Sequence, residues 1–280
     1  IATVAAISNA GGYGVYGATR RFPDEITQEL AQIKALVGER PFGVDLVLPP
    51  GMPEHDSREA IEIDIPDGHK AFVQSIIEQY SIPPATQPGM RTRFIRSAEI
   101  EAAQIQSVLT SQVNMFACGI GAPAAVIEAA KAQGMTTLAL IGSPHHVART
   151  IAAGVDIIVA QGYDAGAHTG TIGTYSLVPQ IVEAAGDVPV LVAGGVATGK
   201  HIAAALAMGA QGVWMGTAWL FSEEHQGHMH PINTQKLIEA GSGDTVITRS
   251  ESGKTFRQVR SGWSQAWEAE GAPAPLKMPY

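Results

Sequence analysis

Five short apolar segments, each closed by glycine or a polar turn and followed by a helical stretch, constrain this chain more than any other feature. They are Val113 to Cys118, Met135 to Ile141, Val155 to Gln161, Val188 to Ala193 and Gln211 to Gly216, and their starts lie 22, 20, 33 and 23 residues apart. That period is the length of a strand, a loop and a helix together, the mark of βα repetition. Between them, Ala124 to Gln133 sets Val126, Ile127 and Ala130 on one helical side, and Lys200 to Met208 is nearly all alanine, leucine and isoleucine. Gly134, Gly154 and Gly209 stand where a left-handed residue ends a helix before the next strand. Strands this uniformly apolar are buried on both faces, as in a parallel sheet wrapped by helices. An earlier helix, Asp24 to Val37 with Gly38 as its stop, leads into one more strand, Phe42 to Leu48.

Glycine loops after several strands, rather than one after the first, favour a (β/α)8 barrel over a doubly wound sheet. Residues 1–280 are expected to form one such domain. Residues 51–111 break the pattern: Pro49-Pro50-Gly51, Pro83-Pro84 and Pro88-Gly89 flank a charged helix around Lys70 to Tyr80, which reads as a lid-like insertion. A second departure, 222–280, has a helix near Thr234 to Ala240 and a strand-like Thr245 to Thr248, and reads as a C-terminal cap. The chain opens at Ile1 inside an apolar, helix-like stretch and stops after a proline-rich tail, so both ends look cut.

Charge and composition remove several function classes. The 280 residues carry 18 basic and 26 acidic side chains, a net of −8, without the basic cluster that nucleic-acid binding requires. No run reaches the roughly 18–20 apolar residues of a membrane span, and no signal-like segment opens the chain. A single cysteine excludes an internal disulfide framework and fits a reducing compartment. The reading is a soluble, cytoplasmic protein with no nucleic-acid or membrane partner.

The most informative stretch for chemistry is AQGYDAGAHTGTIG, Ala160 to Gly173, which follows an apolar strand. In a barrel it lies on the catalytic face. Its four glycines let backbone approach a ligand closely, and His168 is its one group able to exchange a proton near neutral pH. The competing reading is a glycine loop with an incidental histidine. Further on, Gly194-Gly195 and Gly216-Thr217 end two successive strands; such turns expose amides beside helix starts and form a phosphate cradle, or else simply allow tight strand-to-helix packing. Other candidates point to structure. His145-His146 suit a helix start after Ser143-Pro144, and Cys118 suits a buried, inert thiol. His225, His228 and His230 near Glu223-Glu224 have metal-ligand composition but irregular spacing, so a solvated loop is favoured and no metal is expected. Arg91, Arg93 and Arg96 either grip an anionic substrate or form a solvated face, and the solvated face is favoured. Serine-elbow, Walker and zincin motifs do not occur.

Taken together, SNAGGYG (Ser8 to Gly14), FGVDLVLP (Phe42 to Pro49), AQGYDAGAHTG (Ala160 to Gly170), VLVAGGVATG (Val190 to Gly199), GAQGVWMGTAWL (Gly209 to Leu220), GWSQAW and PLKMPY resemble the nitronate monooxygenase family, formerly the 2-nitropropane dioxygenases. The resemblance covers nearly the whole chain. It implies a (β/α)8 barrel holding FMN non-covalently and oxidising alkyl nitronates with molecular oxygen to a carbonyl compound and nitrite. By this likeness His168 is the catalytic residue, Gln161 and Gly162 lie beside the flavin, and Gly194, Gly195, Gly216 and Thr217 wall the phosphate site. The implied partners are a small-molecule nitronate and oxygen, and the scaffold allows a homodimer. It also serves NAD(P)H-dependent quinone and enoyl reductases, which stand as the alternative activity. Relative to the family, the chain is expected to lack the first strand and last helix; Asp45 stands where asparagine is frequent, and Ala167 where glycine commonly precedes the histidine.

Overall fold

The computed structural model describes residues 1–54, 57–87, 89 and 94–278. The strands are β1 (Gly14–Gly17), β2 (Phe42–Val47), β3 (Met115–Gly119), β4 (Thr136–Ile141), β5 (Ile157–Gln161), β6 (Ala167–His168), β7 (Val190–Ala193), β8 (Gly212–Trp214), β9 (Thr245–Thr248) and β10 (Phe256–Val259). The first helices are α1 (Ala2–Asn9), α2 (Pro23–Val37), α3 (Arg58–Asp64), α4 (Asp67–Gln79), α5 (Ala98–Leu109) and α6 (Ala124–Ala132). They are followed by α7 (Val147–Ala152), α8 (Thr174–Ala185), α9 (Gly199–Ala207), α10 (Pro231–Glu239) and α11 (Gly262–Glu268).

Seven strands pair in parallel in the order β1-β2-β3-β4-β5-β7-β8, so each crossover steps to the next neighbour and the sheet curls as a TIM-type barrel does. The period-2 alternation sorts side chains between two cores. Outward-facing Phe42, Val44, Leu46, Phe116 and Cys118 pack on Ile26, Leu30 and Ile33 of α2 and Ile127 of α6, while Ile158, Ala160 and Val192 pack on Leu177 and Ile181 of α8. Inward-facing Met115, Ala117, Leu138, Val159 and Ala193 form a third, smaller cluster in the barrel interior. Phe42 and Phe116 are fully buried, and each such side chain stabilises the fold by about 1.5–3 kcal/mol.

The glycines read as helix stops act as such: Gly38, Gly134, Gly154 and Gly209 have φ of 62, 76, 86 and 91°. α5 packs against α2 and α6 in the outer helical layer. Preceding it, Arg96 is buried rather than solvated. Its guanidinium donates to the Val47 carbonyl at 2.5 Å and meets Glu101 at 3.2 Å, tying the chain before α5 to the end of β2. Arg91 and Arg93 lie outside the described residues, as does Pro279-Tyr280 of the PLKMPY motif. α4 meets α11 through Phe72 and Trp267, whose rings pack edge-on at 4.8 Å. Among the described residues no helix is long and apolar enough to cross a membrane.

A second, three-stranded sheet, β6-β10-β9, lies outside the parallel one. It joins the loop after β5 to a hairpin from the C-terminal segment, and this join builds the site.

Candidate functional site

The loop after β5 is short of side-chain bulk and rich in glycine, so its shape comes from backbone contacts. Gln161 donates its Nε2 to the carbonyl of His168 at 3.1 Å, and the Gly162 amide donates to Ala193 of β7 at 3.0 Å. The β9–β10 hairpin then straps the loop from above. Arg257 donates Nε to the Tyr163 carbonyl at 2.8 Å with its guanidinium 5.5 Å from the Tyr163 ring centre. Thr255 donates its hydroxyl to the Thr169 carbonyl at 2.5 Å, and the Thr169 amide returns a bond to Thr255 at 3.1 Å.

These contacts fix His168. It pairs with Phe256 across β6 and β10, and the Phe256 ring meets the imidazole edge-on with centres 5.0 Å apart. Its Nε2 lies 2.6 Å from the hydroxyl of Ser252, a residue buried in the turn before β10. A hydroxyl at that distance holds the ring by accepting from or donating to Nε2. Ala167, just before the histidine, is held at φ 70°, a left-handed conformation that costs an alanine about 1–2 kcal/mol. The family's frequent glycine would adopt it freely. Strain next to a held imidazole is the pattern expected where geometry serves chemistry.

Gln161 and His168 share a cavity of about 1210 Å³ at the C-terminal rim of β3, β4 and β5, bounded also by Ile120, Gly142, Arg149 and Lys254. Partial burial holds the Lys254 amine below its usual range. Lys254, Ser252 and Phe256 all come from the hairpin. The sequence signal for them was the Ser250 to Lys254 turn ahead of an extended segment, but nothing local tied that segment to His168.

The two glycine turns follow paired strands, with Ala193 of β7 opposite Trp214 of β8. Their surroundings differ. At Gly194, with φ 101°, a Cβ would lie 2.9 Å from the Gly162 carbonyl oxygen and from Thr174 Oγ1, so close packing of the 162–165 loop demands glycine there. At Gly195 a Cβ would approach Asp164 to 3.3 Å, and the Asp164 carboxylate accepts the Thr174 amide at the start of α8 at 2.8 Å. At Gly216 a Cβ would meet nothing within 4 Å, and Thr217 reaches back to the loop at Gly166. The fold thus packs the loop after Gln161 against the second glycine turn, Gly162 against Gly194 and Asp164 against Gly195. It leaves Gly216 beside open space.

That space is a second cavity, of about 890 Å³, running along the barrel interior between β1 and β8, with Gly216, Trp214, Trp219, Tyr16 and Asp45 on its walls. Asp45 is the residue whose environment the sequence conceals. It faces inward from β2, and its Oδ1 is buried with no hydrogen-bond partner. Burial alone pushes its carboxyl up to about 7. Cys118, on the outer face of β3, is buried as expected, and burial pushes its thiol up to about 12. Ser143 accepts the His145 amide, so the His145-His146 pair does open a short helical turn. His225 and His228 stack at 5.7 Å, and no group of three metal-ligating side chains converges among the described residues.

Comparison with known proteins bears on the family and the fold. A family model described as nitronate monooxygenase matches residues 2–279. A Mycobacterium tuberculosis protein named as a monooxygenase is 41% identical over 286 residues, covering 99% of this chain and 75% of its own length. A Staphylococcus haemolyticus protein named as a nitronate monooxygenase is 31% identical over 297 residues, covering 98% of this chain and 76% of its own. Among solved structures, the nitroalkane oxidase of Streptomyces ansochromogenes superimposes with a TM-score of 0.79 at 28% identity, covering 99% of this chain and 77% of that one. FabK of Thermotoga maritima superimposes with a TM-score of 0.71 at 25% identity, covering 94% and 68%.

Proposed function

Because the chain belongs to the nitronate monooxygenase family and is a flavin-dependent oxidoreductase, we propose that it uses FMN and molecular oxygen to convert alkyl nitronates into a carbonyl compound and nitrite. The observation that carries this reading is His168, a strapped imidazole at the rim of a large cavity on the catalytic face of the barrel.

The residues present suit a flavin. Open space beside Gly216 leaves amide backbone accessible where a phosphate needs it, and the orphaned Asp45 oxygen offers a further polar contact on the cavity wall. Gly195, Gly216 and Thr217 would hold the phosphate, with Gln161, Gly162 and Gly194 shaping the loop at the ring. When bound, the flavin supplies an electron acceptor next to the substrate carbon. The chain does the rest. His168 would donate a hydrogen bond to an oxygen of the anionic nitronate, and Ser252, 2.6 Å from its Nε2, holds the ring in place. Phe256 keeps the ring plane, and the hairpin shields the loop from water.

Anaerobic mixing of the flavin-loaded protein with propyl-2-nitronate tests the reading. Bleaching of the flavin's visible absorption is the expected result. Absence of bleaching, with rapid reduction by NADH or NADPH instead, refutes it in favour of a reductase.

A further inference from the structure

Among the described residues other than glycine, three have positive φ: Ser81, Ile120 and Ala167. Two of them stand at one cavity. Ala167 precedes His168, and Ile120, at φ 56°, lies on the wall of the cavity of about 1210 Å³, just past the end of β3. The left-handed region suits glycine, and a β-branched residue there is an outlier. The neighbouring contacts enforce it. The Leu48 amide donates to the Gly119 carbonyl at 2.8 Å, and a Cβ at Gly121 would lie 2.1 Å from the Leu48 carbonyl oxygen. The chain on both sides of Ile120 is thereby pressed against the end of β2. The fold needs this turn but not the side chain. Ile120 is only half-buried and belongs neither to the three core clusters nor to the apolar side chains packed on them. Glycine would make the same turn without strain, so isoleucine is held there for what it presents to the cavity.

What it presents is apolar. With Leu48, Pro49, Met52, Ala122 and Ile172, Ile120 forms an apolar part of the cavity lining, drawn from the segments that follow β2 and β3 and precede α8. The charged side chains at the cavity come from elsewhere: Arg149 from α7, Lys254 from the hairpin, and Glu101 from α5, where Arg96 pairs with it. The volume exceeds the roughly 300–1,000 Å³ that holds a drug-sized ligand, far more than a propyl chain fills. We propose that Ile120 is a specificity-determining residue that contacts the apolar chain of the substrate, and that the cavity suits nitronates with chains well beyond propyl in length. This assignment rests on the nitronate reading of the site and extends it from the reacting group to the rest of the molecule. His168 meets the nitronate group, and the chain lies against Ile120. Taking that chain out of water supplies binding energy in proportion to its length.

Steady-state kinetics of the flavin-loaded protein with primary alkyl nitronates, from ethyl to octyl, test it. In the wild type kcat/KM should rise with chain length, by up to about fourfold for each methylene that reaches the wall. Ile120→Val, one methyl smaller, should take about fourfold off the advantage of octyl over ethyl, and Ile120→Ala at least about tenfold, with the loss falling on KM more than on kcat. Ile120→Gly should lose the advantage as Ile120→Ala does, while its urea midpoint lies above that of Ile120→Ala because the backbone strain is released. An equal loss for ethyl and octyl nitronates in the variants overturns the proposal, since Ile120 then serves the flavin or the fold. A flat or falling wild-type series also overturns it, and that result needs no variant to fold. If no nitronate of any length reduces the flavin, the nitronate reading falls and this assignment falls with it; if all are oxidised without dependence on length, only the Ile120 role falls.

Discussion

Two glycines that look alike in sequence should behave oppositely when replaced by alanine. At Gly162 a Cβ would sit 2.2 Å from Thr174 Oγ1 and 2.4 Å from the Thr174 backbone nitrogen and Cα. Backbone cannot rotate aside as a side chain does, so Gly162→Ala must push the loop off the start of α8, at an overpacking cost of about 1–3 kcal/mol. At Gly216, φ is −124° and a Cβ would meet nothing. Gly216→Ala should leave folding stability within about 0.5 kcal/mol of wild type. The fold gives no reason for glycine there; a ligand approaching the backbone does. Gly216→Ala should therefore weaken FMN binding by at least about tenfold, or about 1.4 kcal/mol. Urea denaturation of the apoproteins and fluorescence titration with FMN read the two effects separately. If Gly216→Ala destabilises the fold as much as Gly162→Ala does, the inference from open space is wrong. If it folds and binds FMN like wild type, the phosphate role of Gly216 is wrong.

Other outcomes follow from single contacts. Ser252→Ala should lower kcat about tenfold and shift the pH profile of kcat/KM, while costing about 1 kcal/mol of stability or less, since it removes one hydrogen bond. An unshifted profile would show that Ser252 only packs. The folded chain holds the Asp45 proton more tightly than the unfolded chain does, so that contribution to stability is complete below about pH 4 and lost as pH rises through about 7. The loss amounts to about 4 kcal/mol, and urea denaturation across that range should show it in wild type but not in Asp45→Asn. Cys118, fully buried with its thiol pushed up to about 12, should resist thiol reagents in the native protein and react only on unfolding. Native-state labelling would contradict the packing of β3.

Legibility in the sequence followed burial and distance along the chain. β2, β3, β4, β5 and β7 are short apolar runs with helices on one side and barrel interior on the other, so their burial on both faces is written into their composition, whereas the three residues of β8 are only half-buried. β1, Gly14–Gly17, escapes notice because two of its four residues are glycine and Tyr16 alone supplies an aromatic side chain. β6 has two residues and exists only because β10 pairs with it. α5 carries helical spacing and a Ser97 cap, but it sits inside 51–111, where prolines and charges had suggested an insertion. Arg96 reads as one of three surface arginines until Glu101 and the Val47 carbonyl are seen around it. His168 stands out in its glycine setting. Its partner Ser252 lies 84 residues away, and no local pattern encodes that contact. Asp45 sits in an apolar run that announces a strand, but the orphaning of its oxygen depends on the small residues of β1 and β3.

That distance between His168 and Ser252 also sets an order of events during synthesis. The parallel strands that bury the two cores end at Trp214, so the sheet and its outer helices can assemble before residues 245–259 have left the ribosome. Until β10 docks, β6 has no partner strand and the imidazole has neither its hydroxyl nor its aromatic neighbour. The contacts that hold His168 are therefore the last of the described site to form. A protease cut between α10 and β9 that released the hairpin would leave the packed sheet standing with His168 stripped of the contacts that hold it.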